Sequence, residues 1–368
     1  MSGIKKIPWT KPDFWGNEEK YVMDAMRSTW ISGGPYLDKL EKILAVELNK
    51  KHALAVSNGT AAIHLAYLGL DLKPGDEIII PGFAFMAAAN IALHMGLKPV
   101  FAEVDEETWC LSAKHLPQYI SKKTKAIIPV HTYGNVCRMD EIMKIADAHR
   151  IPVIEDCAES LFSKYKGNYS GSFGKVNTFS FHATKTITTG EGGLVTTDSD
   201  ELHKRMALYR SHGMDRSKKF YWHDLPGHNF RLTNLQAAMG VAQLESSEKI
   251  LSERKRVCDQ YAKLLSGNDS IQLQKFESDV DPVIWAIAFR IKPTAFPQGR
   301  DQVIQQLLEK GIECRPGFYA SGLLTIYDAH SLPVSERISK EIISLPSFPT
   351  LANEQIAFIC AELLKLIN

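Results

Sequence analysis

Short β-branched runs alternate with helix-periodic stretches through the first half of the chain. They read HALAVS then TAAIHLAYLGL, DEIIIP then an alanine-rich run, PVFAEV, KAIIPVH then MDEIMKIADAH, and PVIEDC. Such alternation predicts an α/β architecture, a largely parallel sheet covered by helices on both faces. NTFSFH and GGLVTTD add two strands. From about Glu245 the texture changes to a charged helical run, SSEKILSERKRVCDQYAKLLS, then strand-like WAIAFRI and helical GRDQVIQQLLEKG and NEQIAFICAELLKLI. The pattern predicts an N-terminal arm with a large domain over 1–250 and a small C-terminal α+β domain over 251–368.

Ile78 to Leu97 is as long and apolar as a membrane span. Pro81 and Gly82 divide it, and Asp76 and Glu77 precede it, which predicts a buried strand followed by a buried helix.

Composition narrows the function classes. At 368 residues, 45% of them hydrophobic, the chain exceeds the usual size of a single core. Lysine and arginine number 43 against 42 acidic residues, so no long-range field favours nucleic acid or an anionic membrane. Six cysteines without a CxxC pair argue against a disulfide framework and a zinc knuckle. The polar opening MSGIKKIPWTKPDFWGNEEK lacks an apolar targeting core, and a cytoplasmic setting is expected.

Three stretches carry candidate chemistry. In VSNGTAAIHL a strand ends at Val56, and the turn through Asn58, Gly59 and Thr60 suits either a phosphate-like anion or an ordinary helix cap. In PVIEDCAES an apolar strand runs into Glu155 and Asp156. A carboxylate there needs a cation, a magnesium ion or a hydrogen-bond network. In FHATKTITTGEGG, Lys185 follows a strand, and Gly190, Gly192 and Gly193 permit close backbone approach. A lone lysine is ordinarily a solvated charge. The three together match the needs of pyridoxal phosphate (PLP): an acid for the pyridine nitrogen, an anion cradle and an amine for the aldehyde. Lys185 is then placed to carry the substrate's α-proton. His182, at a strand end, is read as packing.

The motifs SNGTAAIHL, GDEIIIPGFAF, PVHTYG, IEDCAES, FSFHATKTITTGEGG and GHNFRLTNLQAAMG occur in this order across nearly the whole chain. In them the chain resembles the DegT/DnrJ/EryC/StrS group of sugar aminotransferases, fold type I PLP enzymes. The resemblance implies that Lys185 holds the cofactor as a Schiff base and that Asp156 pairs with the pyridine nitrogen. It implies that Thr60, the backbone of Ala61 and Ser180 hold the phosphate, that Phe85 stacks on the ring, and that Glu159 lies beside the ring hydroxyl. Asn229 is implied to reach the phosphate of a neighbouring subunit, which makes a homodimer, or a tetramer of two such dimers. L-glutamate is the implied amino donor and a keto sugar the acceptor; no metal is implied. Lysine at 185 also separates the chain from a branch in which histidine makes a sugar dehydratase.

KTITTGEGG, KKFYWHDLPGHNFRLTN, GVAQLE and IECRPGFY most resemble the perosamine-type branch, which aminates a nucleotide-linked 4-keto-6-deoxy sugar of lipopolysaccharide O-antigens. Sugar or nucleotide contacts are expected from Trp30, Ile31, Ser32, Tyr221 to His223, Arg231, Arg315 and Tyr319. Core or interface packing is the other reading of Tyr221, Trp222 and Tyr319. Departures at Gly82, Ala84, Gly317 and Ala320 to Leu324 are expected to alter the pocket wall, which admits an oxidised eight-carbon sugar acid or a cyclitol as the acceptor. Two other classes are weighed: a non-catalytic PLP-binding relative, which should lack Lys185 or Asp156, and a magnesium-dependent hydrolase or phosphotransferase, which wants a second acidic cluster or a GK[ST] loop absent from TTGEGG.

Overall fold

The computed structural model describes residues 6–215 and 219–368. Its first strands are β1 (His52–Val56), β2 (Glu77–Pro81), β3 (Lys98–Ala102), β4 (Thr124–Ile127), β5 (Ile154–Asp156), the short β6 (Lys164–Tyr165) and β7 (Asn168–Tyr169), β8 (Val176–Ser180) and β9 (Gly193–Thr197). β3, β2 and β4 pair in parallel. Parallel bridges at Ile127–Val153 and Val130–Asp156 join them to β5, which pairs in parallel with β8. β9 then runs antiparallel between β8 and β1. The central sheet therefore has the order β3-β2-β4-β5-β8-β9-β1, parallel except for β9. The twelve residues between Ser180 and Gly193 form no helix, and β9 returns antiparallel beside β8. That connection carries Lys185.

Helices α1 (Glu18–Arg27), α2 (Pro35–Glu47), α3 (Gly59–Gly69), α4 (Ala87–His94), α5 (Met139–His149), α6 (Asp200–Arg210) and α7 (Asn234–Glu245) accompany this sheet. Ile78, Ile79 and Ile80 of β2 are all fully buried, which explains an unbroken apolar run where a one-sided strand would alternate. The stretch from Ile78 to Leu97 divides into β2 and the buried α4. Among the described residues no helix is long and apolar enough to cross a membrane.

The chain continues through α8 (Ser247–Leu265), β10 (Ile271–Leu273), β11 (Val280–Asp281), β12 (Ile287–Ile291), α9 (Arg300–Glu309), β13 (Arg315–Pro316), α10 (Pro333–Glu341), β14 (Ile342–Leu345) and α11 (Asn353–Leu364). Here the sheet is antiparallel in the order β10-β12-β14-β13, with a core that includes Val257, Tyr261, Phe289, Ile343 and Ile359. The N-terminal arm lies on this unit. Ile7 joins its core and bridges Ile312, while Trp9 Nε1 donates to Ser344 Oγ at 2.7 Å. The buried carboxylate of Glu103, just after β3, accepts the first-turn N–H groups of α10 at Val334 (3.1 Å) and Ser335 (2.8 Å). These groups have no partner inside their own helix, and an anion suits that end of the helix dipole.

Candidate active site

The ends of β1, β5 and β8 meet at one edge of the sheet, where ligands of such folds bind. Beyond β1, Asn58 caps α3, its Oδ1 accepting the Ala61 N–H at 2.8 Å. The first turn of α3 lies directly on the neighbouring strands. A Cβ on Gly59 would stand 2.9 Å from Ser180 Cβ, and one on Gly193 would stand 2.6 Å from the Asn58 carbonyl carbon. Gly193 is thus a contact requirement: it lets the anion-type turn sit on β9. Gly190 has open space around it and serves instead at φ +80°.

Lys185 is mostly buried, its Nζ 3.9 Å from Glu159 Oε1. Burial pulls its pKa below the ordinary lysine value, opposed by Glu159 and Asp156. Asp156, at the end of β5, accepts the Ala158 N–H through Oδ1 at 3.1 Å, and burial pushes its pKa up. Glu159 is buried as well, and its pKa is pushed up to about 7 by that burial. Its Oε2 accepts the Tyr133 N–H at 2.8 Å. Tyr133 stands at φ 58° and Gly134 follows at φ +101°, where a Cβ would meet the Val283 carbonyl oxygen at 2.2 Å. The left-handed residue that presents an N–H to Glu159 is therefore locked by backbone packing.

These groups face a cavity of about 680 Å³ that Thr60, Phe85, Asp156, Glu159, Ser180, Lys185 and Arg315 border. Its size is that of a cofactor-plus-substrate site. The donor set fits PLP: a buried amine, a carboxylate at a strand end, and a helix N-terminus with a threonine and a serine hydroxyl beside it.

Other expected site residues lie off this cavity in the single chain. Ala61 is buried, with its N–H taken by Asn58. Asn229 is exposed and accepts Arg231 Nε at 3.0 Å. Trp30 and Ser32 give their carbonyls to Asn234, at 2.6 Å to Nδ2 and 2.9 Å to the backbone N–H. Tyr319 accepts Arg300 at 3.5 Å. Tyr221 and Trp222 are exposed, which excludes core packing for them.

Two expectations are corrected. His182 does not pack inside: its side chain is half-exposed, borders the cavity, and meets Thr184 Oγ1 at 3.0 Å and Glu191 Oε1 at 3.7 Å. Gly82, Ala84, Gly317 and Ala320 to Leu324 do not border the cavity. A Cβ at Gly82 would meet Leu332 Cδ1 at 2.1 Å, and one at Gly317 would meet Ile342 Cγ2 at 2.2 Å. Tight packing, not pocket shape, calls for glycine at both.

The hydrogen-bond network weighed for the strand-end carboxylates belongs to Glu155. It accepts N–H groups from Gly171, Phe173 and Gly174 at 2.5 to 2.9 Å and meets His131 Nε2 at 3.0 Å.

Sequence reasoning missed the aromatic wall. The Trp285 ring centre lies 3.6 Å from Lys185 Nζ. Tyr133 stacks between Trp285 and Phe318, at 6.0 and 5.3 Å with nearly parallel planes. In sequence, Trp285 stands inside a strand-like run, and nothing local ties it to a lysine so far upstream.

The chain matches the DegT/DnrJ/EryC1/StrS aminotransferase family over residues 13–364. It is 40% identical over 363 residues to the GDP-perosamine synthase of Escherichia coli O157:H7, covering 98% of both proteins. It is 39% identical to the GDP-perosamine synthase of Caulobacter vibrioides, covering 99% of both. Among solved structures it resembles Helicobacter pylori PseC, an aminotransferase involved in the biosynthesis of pseudoaminic acid, with TM-score 0.94 at 28% identity, covering 98% of this chain and 99% of that one. It also resembles Spr1654 from Streptococcus pneumoniae in its PLP form, with TM-score 0.91 at 28% identity, covering 99% of this chain and 100% of that one. The fold is that of the fold type I PLP enzymes, and the chain belongs to the DegT/DnrJ/EryC1/StrS family as a PLP-dependent sugar aminotransferase.

Proposed function

We propose that this enzyme moves an amino group from L-glutamate to a nucleotide-linked 4-keto-6-deoxy sugar, a perosamine-type reaction in O-antigen synthesis in the cytoplasm. The observation that carries the chemistry is the placement of the buried Lys185 amine beside Glu159, in one cavity with Asp156. The acceptor is narrowed by the 40% identity, over nearly full length, to a GDP-perosamine synthase.

When bound, PLP supplies an electron sink for the bond being broken next to nitrogen. The chain supplies the rest. Lys185 would anchor the cofactor and, once released, carry a proton on Nζ, and burial shifts that amine toward its neutral form. Asp156, its orientation fixed by the Ala158 N–H, would pair with the pyridine nitrogen and favour its protonated form. Thr60, Ser180 and the α3 N-terminus would hold the phosphate, the backbone N–H of Ala61 joining them only if it leaves Asn58 Oδ1. Phe85, exposed at the cavity's edge, offers a face for the ring, and Glu159 adjoins the ring hydroxyl. Arg315 offers the acceptor a cation at the cavity wall, with Tyr319 further out.

Asn229, Trp30, Ser32 and Arg231 serve the cavity of a second copy in a homodimer with shared sites, which accounts for their position off the cavity of their own chain. The chain works as an N-terminal arm and a large unit over 1–250 and a small unit over 251–368 on which the arm lies, with the cavity bordered by residues of both units, such as Lys185 and Arg315.

The test is a spectral half-reaction. L-glutamate converts the purified enzyme to its pyridoxamine form, excess donor is removed, and GDP-4-keto-6-deoxymannose is added. Return of the original spectrum supports the proposal. Conversion by glutamate without return, together with return on an oxidised eight-carbon sugar acid or a keto-cyclitol, would replace the acceptor and keep the donor.

A further inference from the structure

Lys185 sits in a connection without regular structure, yet the residues that hold it come from 69 and 101 positions along the chain. Trp285 Nε1 donates to the Thr184 carbonyl at 2.8 Å, while its indole face lies under Lys185 Nζ. From α8, Arg254 donates to the Lys185 carbonyl at 3.3 Å and to the Trp285 carbonyl at 3.0 Å. Two successive carbonyls at the lysine are thus tied to one tryptophan–arginine pair. Trp285 is itself wedged, with Trp9 edge-on at 5.8 Å and Tyr133 parallel at 6.0 Å.

Arg254 is an expensive way to hold a loop. It is 7% exposed, forms no ion pair among the described residues although Asp13 acts on it at longer range, and leaves its buried Nε without a hydrogen-bond partner. Burial pulls its pKa down to about 10. A buried cation bonded to carbonyls costs stability relative to an apolar side chain of similar volume. Kept on the backbone of a reactive lysine, such a cost points to function.

We propose that Arg254 and Trp285 are the positioning residues of Lys185: Arg254 fixes the backbone of the lysine, and the indole face of Trp285 seats its amine whenever the cofactor is not attached. This rests on Lys185 being the cofactor-bearing amine. The groups that face Nζ act in opposite senses. Glu159 and Asp156 favour the charged amine, whereas burial and Arg254 favour the neutral one. The electron-rich indole face favours the charged form. The two members of the pair therefore have opposite electrostatic effects on the same nitrogen.

The experiment follows PLP recapture by cofactor-stripped enzyme, by absorbance, across a range of pH. Lys185 attacks the aldehyde carbon as the free amine, a C=N bond forms and one water leaves, so the midpoint of the rate reports the amine's titration. Arg254→Met should raise that midpoint by on the order of one unit, and Arg254→Lys should leave it near wild type. Trp285→Leu should lower it by roughly half to one unit. Trp285→Phe keeps an aromatic face and should hold the midpoint while slowing recapture, because the Thr184 carbonyl loses its donor. Unchanged midpoints in folded Trp285→Leu and Arg254→Met enzymes, whatever their melting temperatures, would overturn the proposal. If Arg254→Met fails to fold, the two tryptophan variants decide alone. Should Lys185→Ala recapture PLP with the wild-type spectrum, the assignment of Lys185 fails instead.

Discussion

Glu159 holds the Tyr133 N–H with one carboxylate oxygen, 2.8 Å away, and presents the other to Lys185 Nζ at 3.9 Å. Two protonatable groups thus share a buried space beside the cavity, and each has a pKa drawn toward neutrality by burial.

A stability prediction follows from the sign of that effect. In the cofactor-free chain Glu159 is raised from 4.5 to about 7, so the folded state binds a proton there that the unfolded state has already released. The stability this group contributes is whole below the unfolded pKa and is lost as pH rises through about 7. Glu159→Gln removes the titration. Urea unfolding of cofactor-free protein should show the variant more stable than wild type at pH 8, by on the order of 1–3 kcal/mol, with the advantage gone at pH 4. An equal difference at both pH values would contradict it.

The two glycines of the lysine loop should respond differently to alanine. At Gly193 a methyl meets the carbonyl of Asn58, so the α3 turn must shift. We expect a loss of about 1–3 kcal/mol and a weakening of PLP binding of about tenfold or more. At Gly190 the methyl finds open space and only the positive φ is strained, so about 1 kcal/mol should be lost with PLP affinity nearly unchanged. Equilibrium dialysis with PLP, beside thermal melts, separates the two. Equal effects on affinity would contradict the contact argument.

Shared sites make a prediction about mixtures. Lys185→Ala and Asn229→Ala enzymes should each be impaired. Co-expressed, they should form mixed dimers in which one cavity holds both native residues and regains turnover. Activity equal to the sum of the separate variants would place Asn229 outside the neighbour's site.

Much of this was legible because the chemistry sits at strand ends. Apolar runs that stop at Val56, Asp156 and Ser180 announce where the sheet's edge is, and a parallel arrangement brings those edges together. The reversal of β9 was not readable, because alternation reports a strand and not its direction, and twelve residues between Ser180 and Gly193 suit either sense. His182 was misjudged because a strand-end histidine looks the same whether it turns inward or into a cavity. Gly82 and Gly317 looked like changes in pocket shape because their true neighbours, Leu332 and Ile342, are distant in sequence or direction. Trp285 and Arg254 were invisible for the same reason. Their contacts with Lys185 arise only when α8 and the approach to β12 fold over the lysine loop.

The central claim is that Lys185 carries the cofactor. Borohydride reduction of the purified holoenzyme, followed by proteolysis and peptide mass mapping, fixes PLP to whichever amine holds it. The account predicts the added mass on the peptide containing Lys185, with none on the same peptide from Lys185→Ala. Label on another lysine, or no covalent label from enzyme that contains PLP, would contradict it.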